Sequence, residues 1–233
     1  MKYKKISIII SVLVILLFFY VGYKFIVIHK YKSNVDSKLY DKLLIMENNK
    51  IQYQKNILFT PDISRYPDNE LMWGDKKVRL RSENIKTTDG NNNIAVRYDI
   101  IQTKSQIDSD WKNLITKQEP FCHEGIIGQN KLLCLSASHG DIILNIIDNN
   151  GKFITKTLVS TPNYGEQTVF ADDKYMYIIW TDWRLQWPNP IKIITNNPET
   201  ALSGPFIVMA GKLNLDTLEF QEQVIKYNSD FFP

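Results

Sequence analysis

The sequence predicts an all-β domain, with a propeller-like or sandwich-like antiparallel architecture, behind one N-terminal transmembrane helix. Three observations support this fold class. Residues 6–23 are apolar and uncharged, and at about 1.5 Å per residue a helix of that length spans about 27 Å, close to a hydrocarbon core. In residues 51–233, β-branched and aromatic runs alternate with Asn, Asp and Gly clusters. Two segments of that region resemble each other at a fixed offset, which indicates a structural repeat.

The apolar run 6–23 has lysines on both sides: Lys2, Lys4 and Lys5 precede it, and Lys24, Lys30, Lys32 and Lys38 follow it. The positive-inside rule therefore does not decide its direction. No small-residue cleavage site follows the run, and no cysteine stands near its end. We expect an uncleaved signal anchor, with residues 1–5 in the cytoplasm and the C-terminal domain outside it, in the periplasm or at the cell surface.

The basic charge of the chain belongs to this anchor. Of the 28 basic residues, six lysines lie in or beside the apolar run, and no acidic residue occurs before Asp36. The remaining 22 basic residues stand against 25 acidic ones, so the β domain is slightly acidic. A nucleic-acid-binding domain needs a basic face. The composition argues against nucleic acid as a partner and favours lipid headgroups as the contacts of the anchor lysines.

Residues 24–50 are predicted to form a short basic stalk followed by one helix. Apolar residues recur at helical spacing within residues 35–47: Val35, Leu39, Leu43 and Met46. Ser33 or Asn34 can serve as the N-cap, and Asn48 and Asn49 can end the helix. We expect this helix to pack on the domain; the alternative is a helix that binds a partner or a second copy of the chain.

The second half of the β domain carries the repeat. Residues 125–138 and 168–182 each join a short apolar stretch, a polar turn that ends in lysine and a longer apolar strand. Two more strands joined by a turn follow each of them, in residues 141–159 and 204–225. Four strands in about 43 residues are typical of a propeller blade. The alternative is two adjacent meanders in a sandwich. A weaker third copy begins near residue 91.

Two groups of residues in this repeat carry a family resemblance. The first is a hairpin with Asp148, Asn149, Asn150, Gly151 and Phe153; the second is a strand end with Trp180, Thr181, Asp182 and Arg184. Together they resemble blades of the sialidase-type β-propellers with Asp-box repeats, over about residues 125–225. The resemblance implies a propeller fold. It also implies an alternative function, that of a carbohydrate-active glycoside hydrolase, although we assign no catalytic residue.

Cys122 and Cys134 are the two cysteines of the chain. In an oxidising compartment their separation permits a disulfide worth about 3 kcal/mol; in a reducing compartment they would be two buried thiols. His123 and His139 lie near them in the sequence, but the spacing fits no standard zinc pattern. We therefore expect no metal and no cofactor.

Three of the five tryptophans lie within residues 180–187. Residues 175–180 are apolar on both strand faces, so Trp180 is expected in the core. Trp183 and Trp187 lie beyond the strand and open a long connection that reaches residue 203. Connections of that length are usually functional or disordered, and exposed Trp and Arg are common in binding hot spots. The alternative is that the tryptophans cover the edge of the core.

The candidate binding residues are Asp182, Trp183, Arg184, Trp187 and His139. His139 lies in Ser-His-Gly-Asp, where serine, histidine and aspartate stand close together, but members of a catalytic triad come from separated elements, and a turn between strands explains this segment. The sequence thus predicts a non-catalytic binding module, an envelope or immunity-type protein, whose partner is a protein or a glycan. The oligomeric state is not predicted.

Overall fold

The computed structural model describes residues 2–59, 70–89, 92–118, 120–138, 140–160, 164–182, 187–188, 202–203 and 206–228. Over these ranges the chain is mostly antiparallel β-structure behind one long apolar helix. The coarse fold class predicted from the sequence is confirmed. The structure does not confirm a propeller, because none of the described sheets closes on itself. The choice between a propeller and a sandwich therefore stays open.

Helix α1 (Lys2–Ser33) continues without a break beyond the predicted apolar run. Its section Ile10–Ser33 is long and apolar enough to cross a membrane, a property that signal sequences share. Three residues near its C-terminal end pack against the domain core: Val27, Ile28 and Tyr31. The predicted stalk is therefore a helical extension of the anchor, because its apolar side chains have a core to pack on.

Helix α2 (Ser37–Asn48) ends where the sequence predicts, but it starts later. Its N-cap is Asp36, whose side chain accepts a backbone N–H of the first turn at 2.9 Å. The predicted caps, Ser33 and Asn34, were wrong because α1 occupies the chain up to Ser33. Val35 then pairs with β-structure, and a helix can begin only after that contact.

Three antiparallel sheets follow, together with a short helix α3 (Lys50–Gln54). Sheet 1 has the order β2 (Leu71–Trp73), β3 (Lys76–Asp89), β4 (Asn92–Ser105), β5 (Lys112–Gln118). Sheet 2 has the order β1 (Leu58–Phe59), β6 (Glu124–Gly128), β7 (Lys131–Ser138), β8 (Asp141–Ile147), β9 (Phe153–Ser160). Sheet 3 has the order β10 (Tyr164–Ala171), β11 (Tyr175–Asp182), β14 (Phe206–Asn214), β15 (Phe220–Asn228). Between β11 and β14, β12 (Trp187–Pro188) pairs with β13 (Leu202–Ser203).

Sheets 2 and 3 share one apolar core and sheets 1 and 2 share another, because central strands such as β7 are apolar on both faces. On β7, Leu133 and Leu135 face sheet 3, whereas Leu132 and Cys134 belong to the core shared with sheet 1. The outer face of sheet 3 is covered by α2, with Leu43 and other apolar residues in a third cluster. The central strands of sheet 2 are thus buried on both faces, and sheet 3 lies between sheet 2 and helix α2.

The predicted four-strand repeat corresponds to the two inner sheets. Residues 125–138 are β6 and β7, and residues 168–182 are β10 and β11. The strands that follow them in the chain complete sheets 2 and 3 as meanders, and sheet 3 differs by carrying an insertion. Trp180 is fully buried between these sheets, as the strand pattern predicted.

The structure joins Cys122 and Cys134 in a disulfide. Cys122 precedes β6 and Cys134 lies on β7, so the bridge ties the segment between sheets 1 and 2 to the centre of sheet 2. Both residues are buried in the core between those sheets. The Asp99 carboxylate of β4 accepts the backbone N–H groups of Phe121 and Cys122, at 2.6 and 2.9 Å, and so holds the same segment against sheet 1.

Candidate functional site

An insertion interrupts a hairpin of sheet 3 that is otherwise complete. β11 and β14 pair without a break from Tyr175 opposite Asn214 to Asp182 opposite Ile207. Two strands in such register need a connection of about two to five residues, but here residues 183–205 intervene. Within them the short strands β12 and β13 pair with each other, so that the chain leaves and returns side by side.

The predicted binding residues are distributed around the start of this insertion. Asp182 is the last residue of β11 and is fully buried, so it lies at the root of the insertion. Trp187 belongs to β12, where the backbone pairs with Ser203. Trp183 and Arg184 lie outside the described residues, as does His139, which follows β7 in the chain.

A polar contact that the sequence did not predict joins sheets 2 and 3. Gln167 of β10 donates an Nε2–H to Oε2 of Glu124, at the start of β6, over 3.2 Å. The backbone of Glu124 lies between Phe59 of β1 and Leu135 of β7. Burial of its carboxyl group, away from water, raises the pKa of Glu124 to about 7.

Two polar atoms beside this contact have no hydrogen-bond partner among the described residues: Oε1 of Gln167 and Nε1 of Trp180. Gln167 and Trp180 are cross-strand neighbours. A β-carbon at Gly211 of β14 would lie 3.3 Å from Cζ3 of Trp180. Strand alternation places Asp182 on the same face as Trp180.

The contact between Glu124 and Gln167 therefore lies on the same side of sheet 3 as the root of the insertion. The two unpartnered atoms are buried, so within the described residues they are not open to solvent. In the described part of the chain, no group of three or more metal-ligating side chains occurs. The described contact at this interface is a hydrogen bond between two sheets.

Sequence reasoning missed Glu124 and Gln167, because neither belongs to a motif or to the tryptophan-rich segment. Their proximity depends on how sheet 2 stacks on sheet 3, and no local pattern encodes that. Comparison with family models, with curated proteins and with solved structures found no match. The site therefore has to be interpreted from its own geometry.

Proposed function

We propose that this chain is a membrane-anchored, extracytoplasmic binding module that recognises a protein or glycan through residues 183–205. One observation carries the proposal. β11 and β14 pair with each other along their full length, up to Asp182 opposite Ile207, so their hairpin needs only a short turn and not the long insertion that it carries. Trp183, Arg184 and Trp187 give this insertion the residue types that dominate binding hot spots. A surface loop on a rigid sheet is the usual place for recognition.

Two further features support the anchoring and the compartment. Helix α1 has the length and composition of a membrane span, and its last turns pack on the domain, which holds the domain close to the bilayer. The disulfide between Cys122 and Cys134 suits an oxidising compartment, because cytosolic reductants keep thiols reduced. Both features favour a C-terminal domain in the periplasm or at the cell surface.

The stacking of three meanders supports the propeller-like interpretation and its resemblance to Asp-box blades. The turn after β8 begins at Asp148, whose Oδ1 accepts the N–H groups of Asn150 and Lys152, both at 2.9 Å. The turns after β10 and β14 are built in the same way, with Asp172 and Asn214 as acceptors. The same Asx-headed turn thus recurs in sheets 2 and 3.

The binding proposal is tested by replacing residues 183–205 with Asn-Gly in the full chain. Asp182 and Ile207 are the last paired residues of the two strands, so the new connection is the three-residue loop Asn-Gly-Phe206. A loop of that length can close a hairpin, and thermal unfolding should change by only a few degrees. Partner capture, by cross-linking in membranes and on a glycan array, should be lost. Changing Trp183 and Trp187 together to Ala should weaken capture at least tenfold.

The matched control for the tryptophan variant is Trp111→Ala. Trp111 stacks on Arg79 of sheet 1, with the guanidinium 4.2 Å from the ring centre, far along the chain from the insertion. Capture by this variant should equal that of the unaltered chain. If the Asn-Gly variant folds and still captures the same partners, residues 183–205 are not the recognition surface.

A further inference from the structure

The hairpin turns of all three sheets gather at one end of the domain, which we call the turn end. Antiparallel pairing brings the turns of each sheet to one level: Lys76 lies opposite Ser105 in sheet 1, and Leu132 lies opposite Ile147 in sheet 2. The turn end consists of six connections, residues 74–75, 106–111, 129–130, 148–152, 172–174 and 215–219.

Contacts between these connections align the three sheets at the turn end. The Trp73 indole donates to the Asn130 carbonyl at 2.8 Å, which joins the last turn of sheet 1 to a turn of sheet 2. The backbone N–H of Leu215 donates to the Lys174 carbonyl at 2.9 Å, which joins the two turns of sheet 3. A β-carbon on Gly128 would lie 2.9 Å from the Leu215 carbonyl oxygen, so sheets 2 and 3 end at the same level.

Helix α1 reaches the domain from the turn end. Val35, just after α1, forms a parallel bridge with Val224 of β15, so the chain there runs along β15 and away from the turn end. Asn34 lines one cleft with Gln223, which precedes Val224 on β15. Leu218 of the last turn packs on the same apolar core as the last turns of α1. The anchor and the turns therefore lie at one end of the molecule.

The last turns of α1 indicate how far the lipid extends. Val27 and Ile28 pack on the domain core, but in the same helical turn Phe25 is 72% exposed and Ile26 is 68% exposed. Large apolar side chains at such exposure are favoured in lipid and disfavoured in water. From Tyr23, where the apolar run ends, to Ile28 the helix rises by about 7.5 Å, the thickness of one headgroup layer. The domain therefore begins within that layer.

We propose that the turn end rests on the bilayer, where Ile107 and Ile154 contact the lipid interface. Ile107 lies in the β4–β5 connection and is 98% exposed, and Ile154, the second residue of β9, is 64% exposed. The bilayer is the partner that fits this surface, because α1 brings the turn end to it and contact removes apolar side chains from water. This inference rests on the proposed anchoring by α1 and not on the binding role of residues 183–205.

Contact between the turn end and the bilayer places the insertion on the far side of the domain. β11 begins beside residues 172–174 and ends eight residues later at Asp182, a length of about 26 Å for an extended strand. Residues 183–205 therefore leave sheet 3 at the end that points away from the lipid.

The test places one nitroxide label at a time on the full chain in lipid nanodiscs, at Ile107→Cys or Ile154→Cys. The native cysteines form a disulfide and take up no label without a reductant. Power-saturation EPR compares collisions of the label with oxygen, which concentrates in lipid, and with a water-soluble nickel chelate. We expect the oxygen-to-nickel ratio at both positions to exceed that of the control label by about threefold or more.

The matched control is Ile85→Cys. Ile85 is also an exposed isoleucine, 39% exposed, and it lies on β3 beyond the residues that pair with β2, away from the turn end. All three changes affect exposed side chains, so thermal unfolding of each variant should match that of the unaltered chain.

A label at Leu17→Cys, within the apolar run of α1, separates failure of the contact from failure of the anchor. If the Leu17 label lies in lipid but the label at Ile107 or Ile154 behaves like the one at Ile85, the turn end does not rest on the bilayer. If the Leu17 label lies in water, α1 is not a membrane span, and both the anchor and the contact are wrong. The measurement needs no binding partner, so loss of recognition by residues 183–205 would leave its result intact.

Discussion

Glu124 and Gln167 show how much of this protein depends on single buried polar groups. The amide of Gln167 satisfies one carboxyl oxygen of Glu124 and leaves its own Oε1 unpartnered. A structure selected only for stability would place apolar residues here, because a half-satisfied polar contact is worse than none. Retaining the pair therefore favours a functional role for this part of the interface.

Glu124→Gln should remove a pH dependence of stability. Because the pKa of Glu124 is raised to about 7 from an ordinary 4.5, the folded state binds the proton more tightly than the unfolded state. The free energy of unfolding should then fall by about 3 kcal/mol as pH rises from about 4.5 to above 7. Urea denaturation at pH 4.5, 6 and 8 measures this loss.

The free energy of unfolding of Glu124→Gln should not fall over this pH range, so the variant should be more stable than the unaltered chain at pH 8. Gln167→Asn is the matched control for an altered amide, because it leaves the carboxyl group in place. Equal pH profiles for Glu124→Gln and the unaltered chain would contradict the burial of a titrating carboxyl group at this interface.

No sequence pattern marks Glu124 or Gln167. Glu124 stands between a histidine and a glycine, and Gln167 stands in a polar stretch before a strand. Their positions are decided by the stacking of sheet 2 on sheet 3. Trp180 was predictable, because alternation along a strand that is apolar on both faces requires burial.

Helix α2 connects the anchor to the sheets and depends on one apolar face. Leu43 and Met46 are buried against Phe170, Tyr177 and other residues of sheet 3. At the edge of this contact, Lys42 donates to the Asp172 carboxylate at 2.8 Å and to the Tyr177 hydroxyl. Burial acts to raise the pKa of Asp172, but the bond from Lys42 and the backbone N–H groups of Lys174 and Tyr175 outweigh it, so the pKa is lowered. The pair is half exposed, so it orients the helix more than it stabilises it.

Leu43→Ala and Leu44→Ala give a matched test of this packing. Leu43 is 3% exposed and Leu44 is 48% exposed, so the first change leaves a cavity and the second does not. Leu43→Ala should lower the free energy of unfolding by about 2–4 kcal/mol, and Leu44→Ala by less than about 1 kcal/mol. Chemical denaturation monitored by tryptophan fluorescence measures both. Equal losses would mean that α2 docks through a different face.

The helical periodicity of residues 35–47 predicted this face correctly. It could not predict the start of the helix, because Val35 is withdrawn from it by a bridge to Val224 of β15. A contact between residues so distant in the chain overrides the local capping preference of Ser33 and Asn34. Element boundaries are decided by such tertiary contacts more often than element types are.

At the scale of the whole molecule, the disulfide ties the segment that follows sheet 1 to the centre of sheet 2. Replacing Cys122 and Cys134 together by Ala should lower the free energy of unfolding by about 3 kcal/mol. Each single replacement should cost about as much as the pair, because either one opens the same bridge. Thermal and urea unfolding of the purified chain, with and without a reductant, measure this.

Reductant should destabilise the unaltered chain and leave the double variant unchanged. A reporter enzyme fused after Pro233 tests the compartment that the bridge requires. If a reporter that works only in the cytoplasm is active in this fusion, the C-terminal domain lies in the cytoplasm and the proposed topology is wrong. The disulfide would then lack the oxidising compartment that it needs.

The sequence by itself determined the apolar N-terminal helix, the predominance of β-structure and the four-strand units, because these depend on local periodicity and on the length of apolar runs. It also located the insertion after Asp182, where strand patterning stops. The tertiary structure decided that α1 runs into the domain core, that α2 covers sheet 3, and that Glu124 meets Gln167. Those contacts join residues far apart in the chain, and their energies depend on the stacking of complete sheets, which no local pattern encodes.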